Sequence, residues 1–305
     1  MARATPYILC RYGLFRNERA LTPADELKLL EKLIGERIAY RVRDAKPDDA
    51  DTYIAKVRHK TVAGRRVHTW EIMQDLKFRE TTRYDKSKDE TSDEIVPTRD
   101  EVKHTKFLAV PSLNALAVED RFSDRSLGAR SAVGRFAAIL ERLAKLRVSV
   151  SFAGTPQDVQ RALDTWSLDQ FSFTIRPFNP SPSKPGDRLD ELLTADNVGS
   201  MRAVTYPSAE HNMKDSHEGI ISEAKGLSDA GYGQIGAKGT TPDGLKATID
   251  KPKFEIDKQK NVANQSKNRI LKVYIDANET EDDDERALVK SLIELYGDAE
   301  TTDIN

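Results

Sequence analysis

The chain has 305 residues, a formal net charge of −2 and one cysteine, Cys10. Apolar residues make up 38% and charged residues 32%, so relative to ordinary soluble domains the core is thin and the surface heavily charged. No apolar run approaches the ~18 residues of a membrane span, the short apolar stretch near the start is broken by Arg11 and is no secretion signal, and a single thiol makes neither an internal disulfide nor a cysteine-based zinc site.

A cytoplasmic protein of one large or two ordinary domains is therefore expected. Residues 7–15 (YILCRYGLF) read as a strand. Thr22 then offers an N-cap, Pro23 the first helical position, and Asp25 and Glu26 fill the first turn. Leu27, Leu29, Leu30, Leu33 and Ile34 give that helix an apolar stripe, closed by Gly35. Residues 53–60 and 67–78 read as a hairpin with one basic face, turning at 62–65. Residues 81–102 are polar and charged, the composition of a loop. A second hairpin pairs 107–110 with 115–119. From Ser131, apolar residues at 133, 136, 139, 140, 143 and 146 follow helical spacing.

The pattern then becomes regular. Residues 147–153 alternate as a strand, Thr155-Pro156 opens a helix to Trp166, and 171–176 form another strand stopped by Pro177. This is a β-α-β unit of crossover length. After a proline-rich loop at 179–186 come a short helix at 188–195, a strand at 201–206, a helix at 218–227 and a strand at 232–238. The order from 147 to 239 is β-α-β-β-α-β, the ferredoxin-like order. Residues 246–249 and 254–256 extend the sheet, and 268–276 form the clearest late strand. Residues 282–296 form a last helix with acids at its start, and 297–305 read as disordered. The expected fold is α+β, with antiparallel or mixed sheets. A β-rich region with one helix and hairpins spans 1–130, and a ferredoxin-like region with an acidic tail spans 131–305.

The small net charge conceals an asymmetry. Residues 276–305 hold two basic and eleven acidic residues, about −9, so the remaining 275 carry 46 basic against 39 acidic, about +7. Within them, residues 53–88 hold ten basic and four acidic residues. A basic stretch and an acidic tail in one chain point to nucleic-acid contact or to self-shielding.

Candidate chemistry is sparse. His211 and His217 sit in a polar segment with Glu210 and Glu218, but six residues separate them and no shared helical face results, so no metal is expected. His59-Lys60-Thr61 has the His-x-Thr form of two-histidine phosphoesterases but lacks its second copy, because Thr105 follows His104 directly. Asp75-Leu76-Lys77, with Glu71 upstream, matches the end of a metal-dependent nuclease strand and needs a further acid from elsewhere. No Gly-x-Ser-x-Gly elbow is present, and Cys10 on an apolar strand reads as an inert small hydrophobe.

Two features carry binding expectations. The hairpin places Lys56, Arg58, Lys60, Arg65 and Arg66 with His59, His68, Tyr53 and Trp70. Cations neutralise phosphates and aromatics stack bases. The run 226–239 is the densest in glycine, and Gly231-x-Gly233-x-x-Gly236 follows a helix and precedes a strand, the reverse of the dinucleotide fingerprint. There Tyr232 and Lys238, with Lys225 and Lys246, suit a backbone that approaches phosphates closely. The reading is a nucleic-acid-binding accessory protein for RNA or single strands, without a cofactor. The alternatives are a metal-dependent nuclease through Glu71, Asp75 and Lys77, or an interaction subunit that docks a protein partner or a second copy.

The segments FSFTIRPFNP (171–180), AGYGQIGAKG (230–239) and YILCRYGLF (7–15) resemble a family of uncharacterised bacterial proteins associated with phage-defence and mobile-element loci. The resemblance spans most of the chain and implies a defence-linked or nucleic-acid-linked role, with no catalytic residue carried over.

Overall fold

The computed structural model describes residues 4–40, 51–76, 78–85, 90–97, 101–121, 123, 125–152, 154–177, 187–250, 269–276 and 280–297, with side chains left aside at 78–97 and 187. The expected strand at 254–256, the loop at 179–186, the tail at 298–305 and Lys77 lie outside them.

The first half contributes β1 (Thr5–Arg16), β2 (Arg19–Ala20), α1 (Pro23–Lys32), β3 (Ile38–Ala39), β4 (Asp51–Val62) and β5 (Arg65–Asp75). It continues with β6 (Phe78–Asp85), β7 (Glu90–Pro97), β8 (Val102–Val110), a 3-10 turn at Pro111–Leu113, β9 (Ala115–Glu119) and α2 (Ala129–Ala144). The Thr22 hydroxyl caps α1 by accepting from the Asp25 amide at 3.2 Å, with Pro23 in the first turn. The β4–β5 hairpin turns on Ala63 (φ 48°) and Gly64 (φ 74°), the two left-handed residues of a type I′ turn. Residues 81–102 are corrected: β6 and β7 pair antiparallel as a separate two-stranded ribbon. The β-formers Thr81, Thr82, Tyr84, Ile95 and Val96 were outweighed in the sequence by charge.

The second half supplies β10 (Arg147–Ser151), α3 (Pro156–Thr165), β11 (Ser167–Ile175), α4 (Asp187–Ala195), β12 (Met201–Thr205) and α5 (Ile220–Asp229). It ends with β13 (Gly233–Thr240), β14 (Lys246–Asp250), β15 (Ile270–Ile275) and α6 (Glu281–Tyr296). Thr155 and Asp158 close a full capping box on α3, and Thr280 caps α6.

Thirteen strands form one sheet in the order β12-β11-β13-β14-β15-β1-β9-β8-β5-β4-β3, with β10 and β2 also on β1. Every pairing of named strands is antiparallel. The architecture is α+β. The ferredoxin-like arrangement expected over 147–239 is not what the sheet shows. It would need β10 among its companions, whereas β11 lies between β12 and β13, and β10 pairs with β1. The reason is the length of β1: β15 occupies its residues 5–9, and β10 takes residues 11–15 of the same edge. The sheet is continuous across residue 130, since β1 joins β9 on one side to β15 and β10 on the other.

Alternation along the central strands feeds two cores. Tyr7 and Leu9 of β1, with Leu108 and Ala117, pack under α3, α4, α5 and α6. Ile8, Cys10, Tyr12 and Leu14, with Phe107 and Leu116, pack under α1 and α2. Trp70 anchors the second core, its ring 5.3 Å from that of Phe107 and 5.2 Å from that of Phe136. Arg11 ties β1 to the other layer: it donates to Asp158 at 2.8 Å and lies 4.3 Å over the ring of Tyr296. No described helix is long and apolar enough to cross a membrane.

Helix α6 buries Leu288, Val289, Leu292, Leu295 and Tyr296. Near its C-terminal end, Lys290 binds Asp243 at 2.5 Å and Glu294 lies against the same carboxylate. Burial and the Asp243 charge push the Glu294 carboxyl up to about 7. The folded state therefore holds a proton there that the unfolded chain has released above its ordinary 4.5. Stability conferred by this proton is complete below 4.5 and is lost as pH rises through about 7. After discounting for partial solvent screening, Glu294→Gln is expected to remove about 1–2 kcal/mol of pH dependence between pH 5 and 8, measured by urea unfolding. At the hairpin, Ala63→Asn replaces a strained left-handed alanine by a residue that tolerates the conformation. It is expected to raise unfolding free energy by about 0.5–1 kcal/mol in the same assay.

Candidate functional site

The basic hairpin does not stand free. Lys60 Nζ lies 2.6 Å from Asp282 and 2.5 Å from Glu285, and Arg58 lies 3.6 Å from Glu281. From β8, Lys106 joins Glu281 at 2.9 Å and Glu285 at 2.8 Å. The acidic start of α6 thus rests on the cations of β4. Burial works against the charge on Lys60 and Lys106, but the facing carboxylates outweigh it and raise both pKa values. Lys56, left-handed at a bulge in β4, turns instead to Glu71 at 2.9 Å. Arg65 and Arg66 flank the turn and make no ion pair among the described residues.

Of the nuclease candidates, the two described carboxylates are not brought together. Glu71 and Asp75 lie four residues apart on an extended strand, roughly 13 Å. Each has its own cations: Asp75 pairs with Arg37, while Glu71 meets Lys56 and, at 3.1 Å, His104. Burial opposes ionisation of Glu71, but His104 and Lys56 outweigh it and hold its carboxyl below the usual range. The Glu71 carboxylate in turn raises the His104 imidazole above its ordinary 6.5.

The glycine strand leads to a different surface. Tyr232 packs against the helix-covered core, while Lys238 projects from the other face of β13. That face, over β12, β11, β13 and β14, contributes nothing to the core under α1 and α2, and no described helix covers it. The register aligns Gln170, Lys238, Thr248 and Lys272 in one row across four strands. Arg202, opposite Thr174, and Lys246, opposite Thr240, share the face. Lys246 pairs with Asp169 at 3.0 Å, and Lys272 with Asp120 at 3.0 Å and Asp250 at 3.6 Å. Arg202 and Lys238 are exposed and make no ion pair among the described residues. A shallow hollow of about 230 Å³ sits at Gln170, Ser172, Gly236, Lys238 and Asp250.

The sequence candidates therefore divide. Arg58 and Lys60 lie on the α6 side of the sheet, since they pair across from Thr69 and Val67. Lys238 and Lys246 lie on the opposite side, seven and six strands from β4 and so roughly 30 Å away. Arg202 and Lys272 were missed: strand alternation would have revealed their side, but not that no described helix lies over it.

Among the described residues, one group has metal-ligating character: Asp164, Asp215 and His217, with donor atoms within 4.8 Å of one another. Gln160 Nε2 donates to Asp164 at 2.8 Å and to Asp215 at 3.0 Å, holding the two carboxylates together. His211 is not part of this group. Cys10 is fully buried, and that burial pushes its thiol far up, out of reach of nucleophilic use. No family model matches the chain, and no curated protein matches it.

Glu71→Gln removes the partner that raises His104. The His104 pKa is expected to fall towards 6.5, read by NMR titration of its ring protons.

Proposed function

We propose that the protein binds single-stranded nucleic acid, RNA above all, through the uncovered face of β12, β11, β13 and β14, as an accessory component without catalysis of its own. The observation that carries this reading is the pair of exposed cations, Arg202 and Lys238, without acidic partners among the described residues, on a sheet surface with no described helix over it. A flat row of amides, hydroxyls and ammonium groups suits a phosphate backbone laid across the strands. Lys246 and Lys272 are matched by Asp169, Asp120 and Asp250, so the face carries four cations against three carboxylates and its net positive charge rests on Arg202 and Lys238. The resemblance to proteins of phage-defence loci favours the same class of ligand. The separation of Glu71 from Asp75, each with its own cation, speaks against the nuclease alternative.

Fluorescence anisotropy with a labelled 20-nucleotide RNA and the matching DNA tests the proposal. Affinity is expected to fall about 30-fold between 50 and 200 mM salt, as roughly three or four phosphate contacts require. Arg202→Glu with Lys238→Glu should weaken binding at least about tenfold. No binding at low salt, or binding indifferent to both substitutions, overturns the proposal.

A further inference from the structure

We infer that the acidic first turn of α6 is an intramolecular competitor for a second polyanion site, built from Arg58, Lys60 and Lys106. Three cations from two strands converge on three carboxylates of one helix end: Arg58 on Glu281, Lys60 on Asp282 and Glu285, Lys106 on Glu281 and Glu285. The charges balance within this cluster, so the hairpin offers a polyanion little field while α6 is seated.

The contact is made to be exchanged at its outer rim. Glu281 and Asp282 are 63% and 86% exposed, and Arg58 is 66% exposed. Exposed pairs of this kind are weak and screened by salt. Glu285 is different: 6% exposed, it anchors Lys60 and Lys106 from beneath. The apolar side of α6, from Leu288 to Tyr296, stays packed whatever its first turn does. Arg65 projects from the same face as Lys60 and makes no ion pair among the described residues, so the cation track continues towards the hairpin turn. A strand of linked phosphates supplies several charges at once and displaces the two outer carboxylates, which arrive singly. The ligand class rests on the nucleic-acid reading above, but the site lies on the opposite side of the sheet from Arg202 and Lys238.

The test is Glu281→Gln with Asp282→Asn in the full chain. The substitutions leave Thr280, Asp283 and Asp284 to start the helix, and leave three cations facing one carboxylate. Binding of the labelled 20-nucleotide RNA at 50 mM salt is expected to tighten about tenfold, and the salt slope to steepen by about 1.4, two counterions' worth for a single strand. Adding Arg65→Glu should return most of the gain. The gain should persist when Arg202 and Lys238 are also replaced by glutamate, so failure of the open-face proposal and failure of this one are read on different residues. Unchanged affinity and slope in the double variant overturn the inference. Should circular dichroism show that the double variant loosens α6, Glu281→Gln alone, which frees Arg58, must still show a smaller gain of the same sign; its absence is equally fatal.

Discussion

The structure depends on β1 being apolar in both directions. Most sheet strands that face water on one side alternate polar and apolar residues, but β1 buries Tyr7 and Leu9 on one face and Ile8, Cys10, Tyr12 and Leu14 on the other. Each buried aliphatic or aromatic side chain of this kind contributes about 1.5–3 kcal/mol relative to exposure. Both helical layers therefore draw on the same strand. Its twelve residues also give it room for four partners: β15 and β10 share one edge, β9 and β2 the other. Polar substitution of Leu9 would weaken one core, and of neighbouring Ile8 or Cys10 the other.

The near-neutral composition has a structural basis. The basic body and acidic end inferred from the chain are not separate surfaces looking outward. They meet where the first turn of α6 rests on β4 and β8, and there three cations of the body pair with three acids of the end. Acids at that position serve two ends, since they also complement the helix dipole. Among the cations this joint leaves unpaired are Arg65 and Arg66 beside a turn and Arg202 and Lys238 on the open face.

Local structure was largely legible in the sequence, because its causes are local. Thr22-Pro23 and Thr155-Pro156 announce capped helices, and both threonines accept the expected backbone bonds. The hairpin turning at Ala63-Gly64 and the six helices follow from turn chemistry and apolar spacing. What escaped was the choice of partner. Nothing in residues 147–151 says that they lie along β1 rather than beside β11, because any antiparallel neighbour satisfies an alternating strand. The same gap hid the candidate site. Lys60 and Asp282 are 222 residues apart, and their pairing makes a solvated basic face into a neutral joint. Lys238 could be picked out by residue type, but its surroundings depend on the sheet order.

The position of β1 in the sheet also governs how the chain reaches its fold. Leu9 pairs with Leu271, and Thr5 with Ile275, so one edge of the first strand waits for residues more than 260 positions further along the chain. During synthesis, β4, β5, β8 and β9 can assemble against the far edge of β1 and bury Trp70 and Phe107 early. Until β10 and β15 arrive, the near edge presents unpaired amides and carbonyls beside apolar side chains, the arrangement most prone to wrong pairing. Long-range closure of this kind slows folding. The strand that unifies the finished molecule is thus also the one that makes its nascent form dependent on timely completion.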